Sequence, residues 1–208
     1  MYQPRMQITN AADVRAILGP PMPNQAKKVI DHIDAHCAAW IVRTPFIVIS
    51  SIGATGSMDV SPKGDPPGFV RILDRHTLAI PDRIGNHRGD TLLNVLDNPN
   101  VGILFMIPKR REVVRINGMA TIVRDSDLLA EMAVNGKLPD LAIVVRVREA
   151  FFHCGKSVIR SGLWELDRWG PIDGLPTYAQ ALKDHAASAD TVGTIQARID
   201  RSETELLY

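Results

Sequence analysis

The stretch Ile80–Asn100, IPDRIGNHRGDTLLNVLDNPN, sets Arg83, Asn86, Arg88 and the glycines Gly85 and Gly89 directly ahead of a short apolar helix. Asp90 is positioned to cap that helix, Leu92, Leu93, Val95 and Leu96 supply its core-facing side, and Pro99 follows its end. A helix start presents free backbone N–H groups, and guanidinium groups beside it suit a doubly charged phosphate. The two glycines let the main chain approach such a ligand closely. Arginines at the positive end of a helix are unfavourable for the helix dipole alone, which is the reason to expect an anion there.

Outward from this stretch the chain reads as short strands. Phe46–Ser51 is an apolar β-rich run, followed by a Gly53–Gly56 turn, a short segment Ser57–Ser61 and a Pro/Gly loop at Pro62–Gly68. Phe69–Leu73 and Thr77–Pro81 flank Asp74-Arg75-His76 as a hairpin. Beyond the helix come Val101–Ile107, a basic turn at Lys109-Arg110-Arg111, a strand at Val113–Val123, a helix at Asp125–Asn135 and a strand at Leu141–Phe152. In the last of these, Val145, Arg146, Val147 and Arg148 alternate with period two. Six or seven strands joined mostly by short turns favour a mainly β, α+β, antiparallel closed or partly closed barrel over βαβ winding.

Helices flank the strands. Asn10 precedes AADVRAIL, Gly19–Pro23 breaks the chain, and a second helical stretch is expected from about Gln25 to Thr44, stopped by Pro45. The organisation expected is one domain over 1–208: an N-terminal helical extension (1–44), the barrel (45–155) and a polar, helical tail (156–208).

Composition narrows the class. The 208 residues are 45% apolar and 23% charged with a net charge of +1, ordinary for a globular chain and without a general nucleic-acid or membrane surface. No apolar run approaches the ~20 residues of a membrane span, and the N-terminus lacks the form of a signal peptide. Cys37 and Cys154 are too few for a disulfide framework. The expectation is a cytoplasmic protein.

Other motifs carry less. Gly155-Lys156-Ser157 resembles the end of a phosphate-binding GxxxxGK[ST] loop, but Ala150 stands where the first glycine belongs and Phe151 and Phe152 fill the loop. His32 and His36 are four apart on the expected helix, yet Ile33 stands where HExxH needs Glu and no third ligand is apparent; no metal is expected. His153-Cys154 has no second pair. Arg71 and Arg115 lie inside strands, where each faces either water or a ligand. Lys156, Arg160 and Trp164, at i, i+4 and i+8 along one side of a helix or turn pair, read either as a snorkelling surface stripe or as an electropositive stacking wall.

Taken together, DRIGNHRGDTLLNVLDNPNVGILFMIP, VVRINGMATI and HCGKSVIRSGLW resemble the pyridoxamine 5'-phosphate oxidase-like FMN-binding split-barrel superfamily, in its bacterial subgroup with an R-x-G-N-x-R-x-D signature. The resemblance spans about Ile41 to Trp164, with several blocks in matching order. It implies a six-stranded antiparallel Greek-key split barrel that pairs as a homodimer with two flavin sites at the interface. It further implies that Arg83, Asn86 and Arg88 hold the FMN phosphate and that Phe69, Val70, Arg71 and Ile72 run along the flavin. Arg115 would approach the ring, and Lys156, Arg160 and Trp164 would reach the flavin, from this subunit or the other. The pyridoxal-phosphate-binding set of the true oxidases is not identifiable.

The function expected is that of an FMN-dependent oxidoreductase passing a hydride between flavin and a small molecule, with no protein acid or base assigned to catalysis. Two other readings stay open: a flavin- or haem-binding module or redox sensor without turnover, and a reductase using the deazaflavin F420 in place of FMN.

Overall fold

A computed structural model describes residues 2–208. Seven strands form one antiparallel sheet: β1 (Phe46–Ile52), β2 (Met58–Gly64), β3 (Arg71–Asp74), β4 (Thr77–Asp82), β5 (Asn100–Met106), β6 (Val113–Val123) and β7 (Leu141–His153). Their order is β2-β1-β5-β6-β7-β4-β3. β1 pairs with β2, β3 with β4, β5 with β6 and β6 with β7, whereas β1 returns to β5 and β4 to β7 across long connections, as in a Greek key. The expected six strands become seven because each arm of both hairpins pairs, and β2 and β3 remain as unjoined edges, so the sheet is not closed. β2 continues through Pro62, which was read as loop; on an edge strand a missing N–H costs no ladder bond.

Period-two burial decides which side is the core. Ile49 lies opposite Ile103, Ile103 opposite Ile116, and Ile116 opposite Ala150, all buried. The next row, Ile47, Phe105 and Val114, is buried on the same side. Burying each such aliphatic side chain stabilises the fold by about 1.5–3 kcal/mol. The opposite side carries Val48, Leu104, Arg115 and Phe151 in one cross-strand row. Between Asn117 and Gly118 the β6–β7 register slips, leaving Arg148 as the extra residue of a bulge.

The N-terminal region differs from its expected form. Asn10 does cap helix α1 (Ala11–Leu18), accepting from the Asp13 N–H at 2.9 Å. The expected Gln25–Thr44 helix is instead two short ones, α2 (Pro23–Lys27) and α3 (Ala35–Ile41). Between them Ile30 exchanges backbone hydrogen bonds with Ala150 of β7 at 3.1 and 2.7 Å, continuing the sheet where β4 leaves off. Asp34 then restarts the helix by accepting the Cys37 N–H at 2.8 Å. His32 consequently precedes α3 while His36 lies within it, so the pair does not share one helix.

Helix α4 (Asp90–Asp97) covers one end of the sheet, and α5 (Ser126–Glu131) joins β6 to β7. The tail holds α6 (Lys156–Ser161), α7 (Tyr178–His185) and α8 (Val192–Glu205); α7 and α8 pack on each other and bury Ala179 and Ile195. Among the described residues, no helix is long and apolar enough to cross a membrane.

Candidate functional site

The loop between β4 and α4 is wound by local hydrogen bonds and left-handed backbone. The Asn86 side-chain oxygen accepts the Arg88 N–H at 3.0 Å, His87 sits at φ 58°, and Gly89 at φ 67° takes the N-cap position. Asp90 therefore does not cap α4, as the sequence suggested. With Gly89 in the cap, Asp90 is the first helical residue, and its carboxylate accepts from Arg88 Nε at 2.6 Å. The cap contributes no side-chain acceptor, so the first N–H groups of α4 keep their hydrogen-bonding capacity.

Two polar contacts pin α4 to the sheet. The Thr91 hydroxyl donates to Asp59 of β2 at 2.6 Å, and the Asn94 amide donates to the Ser51 hydroxyl of β1 at 3.1 Å. The buried stripe is Thr91 and Val95 with half-buried Leu92; Leu93 and Leu96, expected in the core, are 59% and 71% exposed. Pinned through its polar side, an eight-residue helix turns only that narrow stripe inward.

A groove of ≈ 580 Å³ opens between β2, the end of β4, the loop and α4. Arg83, Asn86 and Arg88 all line it, together with Lys63 and the start of α4. Every cation in it has a carboxylate partner: Lys63 with Asp82 at 3.2 Å, Arg83 with Asp65 at 2.6 Å and Arg88 with Asp90 at 2.6 Å. The pairs differ in kind. Arg88 is 71% exposed and its pair is open to solvent, where such contacts contribute little. Asp65 is 1% exposed and Arg83 15%, a desolvated pair whose partners depend on each other.

Arg83 is held on several sides. Nε donates to Asp65, Nη2 donates to the Met132 carbonyl at 2.7 Å, and the Tyr208 ring lies 5.5 Å from its guanidinium carbon. The Tyr208 hydroxyl donates to the other Asp65 oxygen at 2.7 Å, and that hydrogen bond raises the phenol pKa above its ordinary value. Only Nη1 of Arg83 has no partner among the described residues. On the far side of Arg83 a second groove of ≈ 590 Å³ is walled by Phe69, Pro81, Leu207 and Tyr208.

The other residues singled out in the sequence fall elsewhere. Phe69 and Val70 are buried in the core before β3, Ile72 packs against it, and the exposed Arg71 donates to the Glu131 carbonyl. Arg115 stands on the outer sheet face, 5.3 Å from the Phe151 ring centre. Lys156 and Arg160 lie on α6, which ends at Gly162 with φ 61°, and Trp164 follows in the turn beyond it. The Trp164 indole instead donates to the Arg110 carbonyl at 2.7 Å. None of Val70, Arg71, Ile72, Arg115, Lys156, Arg160 or Trp164 lines the two grooves. Lys63, Asp65 and Tyr208 were not singled out from the sequence. Lys63 and Asp65 fall in the segment read as loop, and Tyr208 lies 143 residues from Asp65.

The sequence model described as pyridoxamine 5'-phosphate oxidase matches residues 33–154, from the approach to α3 through the end of β7. The chain belongs to that family. The matched residues hold all seven strands, the groove loop and α4; α1, α2 and the α6–α8 tail lie outside the family match. No curated protein matches the chain. Among solved structures, it resembles HupZ of Group A Streptococcus at 19% identity, covering 58% of this chain and 93% of that one, with a TM-score of 0.48. It also resembles HutZ, a haem storage protein of Vibrio cholerae, at 15% identity over 59% and 94% of the two chains, TM-score 0.43. A third is an FMN-binding protein of Syntrophomonas wolfei, at 8% identity over 55% and 79%, TM-score 0.42. Among the described residues, no group of three or more His, Cys, Asp or Glu is placed to hold a metal ion.

Proposed function

We propose that this protein binds FMN through its phosphate in the groove at the start of α4 and works as a flavin-dependent oxidoreductase on a small molecule. One observation carries the reading: Asn86, Arg88 and the uncapped N–H groups of α4 converge on the groove wall where His87 and Gly89 take left-handed backbone. Bound there, FMN would supply the hydride chemistry.

The protein's own residues divide the work of binding. Arg88, in a solvent-open pair, exchanges Asp90 for phosphate oxygens at small cost. The first N–H groups of α4 donate to the same oxygens without rearrangement, since the helix leaves them free. Arg83 is fixed by Asp65 and Met132 and offers Nη1, so it acts as a rigid wall of the anchor rather than a mobile clamp.

Two copies of the chain are proposed to pair through the outer sheet face. Phe46, Met58, Val60 and Leu104 are exposed apolar side chains there, with Arg115 and Glu149 supplying opposite charges that a two-fold pairing can match. Arg115, remote from the grooves of its own chain, belongs to this face. The proposed location is the cytoplasm.

The test is the absorbance spectrum of the purified protein with the mass of whatever is released on denaturation. Released FMN supports the reading. Released F420 or haem replaces it by one of the alternatives, and a colourless protein that takes up no FMN overturns it. Bleaching by NADH or NADPH and recovery in air distinguish turnover from simple carriage.

A further inference from the structure

The α7–α8 pair is tied to the sheet in an unusual way. From Gly170 onward, the hydrogen bonds and ion pairs of the described residues stay within the segment, with one exception. That exception is the Tyr208 hydroxyl on Asp65, backed by the Tyr208 ring over Arg83. The contact falls on a carboxylate that is 1% exposed and already serves the groove's fixed arginine. Leu207 and Tyr208 also form one wall of the second groove.

We propose that Tyr208 is a latch: its phenol–carboxylate contact holds the α7–α8 hairpin down on the sheet and closes the second groove beside Arg83. The physical basis is the inequality of the two ends. α7 is capped on its own account, by a Thr177–Gln180 capping box, and α7 and α8 bury only Ala179 and Ile195 fully. Such a pair is a weakly cored unit whose helices, 8 and 14 residues long, are marginal in water when alone. Asp65, by contrast, keeps Arg83 as partner when the phenol leaves, so opening the latch does not strand a buried charge. Release at Tyr208 therefore costs the sheet little while freeing the hairpin and removing the Leu207–Tyr208 wall. The inference stands on these contacts alone, whichever ligand the first groove takes.

Hydrogen exchange read by mass spectrometry tests it on the full chain and on Tyr208→Phe and Tyr208→Ala. The Phe variant keeps the ring and loses the donor; the Ala variant loses both. Loss of a hydrogen bond to a charged acceptor predicts exchange across residues 178–205 accelerated about tenfold or more in Tyr208→Phe, and further in Tyr208→Ala. Amides of β5, β6 and β7 should keep their wild-type rates in both. Unchanged exchange across 178–205 in both variants overturns the latch, and so does an equal acceleration of the sheet amides, which would make Tyr208 a general stabilising residue.

Discussion

Arg83 and Asp65 meet at 2.6 Å on the wall between two grooves, with the carboxylate 1% and the guanidinium side chain 15% exposed. One arginine thus serves the fold and the candidate site together. Arg83→Ala should leave Asp65 buried with only the Tyr208 hydroxyl, and breaking a buried pair from one side costs about 3–5 kcal/mol. Urea unfolding followed by circular dichroism measures this directly; a loss below about 1 kcal/mol would mean the pair is not desolvated in solution. Arg83→Lys should recover little, because an ammonium cannot make the forked contacts to Asp65 and Met132.

Arg88 behaves oppositely. Its pair with Asp90 is open to solvent, so Arg88→Ala should unfold at the wild-type midpoint. Under the proposed function the same variant should bind FMN on the order of tenfold more weakly, through loss of a charge-assisted contact to phosphate. Quenching of flavin fluorescence on titration reads that affinity, and undiminished affinity would remove Arg88 from the anchor.

The bulge in β6–β7 depends on a missing side chain. A Cβ at Gly118 would press into the Arg146 carbonyl oxygen and the Val145 side chain. Gly118→Ala should destabilise by about 1–3 kcal/mol as overpacking, visible as a lower thermal midpoint. Gly56→Ala is the contrasting control: φ there is 83° but nothing lies within reach of a new Cβ, so only backbone strain is added.

Cys37 is buried, and burial first, then the Asp34 hydrogen bond, pushes its thiol up to about 12. At pH 8 Cys37 stays a thiol, and the thiolate is the reactive form. A disulfide reagent should therefore titrate one group, the exposed Cys154, in the native protein and a second only after unfolding. Two fast equivalents in the native state would contradict the packing of α3.

Asp34 gives a pH dependence with a definite sign. Its carboxylate is held below the ordinary value, chiefly by the Cys37 backbone N–H. A depressed folded pKa stabilises above the unfolded value, near 3.9, and that contribution fades as pH falls through the folded value. Stability profiles of wild type and Asp34→Asn should run parallel at neutral pH and converge in acid, since the amide keeps an acceptor without titrating. Asp34→Ala should lose about 1 kcal/mol at pH 7.

Much of the fold was legible because its signals are local. β7 runs over the residues where Val145, Arg146, Val147 and Arg148 alternate, and the Asn10 cap was readable from one residue type before an apolar run. The groove loop was legible too, since Arg83, Asn86 and Arg88 lie within six positions. What escaped depends on distant partners. Residues 28–34 leave the helical state because β7 offers Ile30 an open ladder position, which composition does not encode. Asp90 lost its capping role to a glycine whose positive φ follows from the wound loop. Arg83 looked like a free cation because Asp65 is 18 residues away and Tyr208 farther still.

The charge pairing around the groove bears on how a ligand would arrive. Lys63, Arg83 and Arg88 each face an acid, and Asp59 and Asp140 add two more negative groups to the same walls. With three cations against five carboxylates the walls carry an excess of negative charge, whose reach is limited to the Debye length, about 8 Å in physiological salt. Capture of a dianion would then gain nothing from electrostatic steering, and its rate would rise with ionic strength as salt screens the excess acid. Selectivity would reside in the exchange of Asp90 for incoming oxygens at contact, so dwell time rather than encounter frequency would distinguish one anion from another.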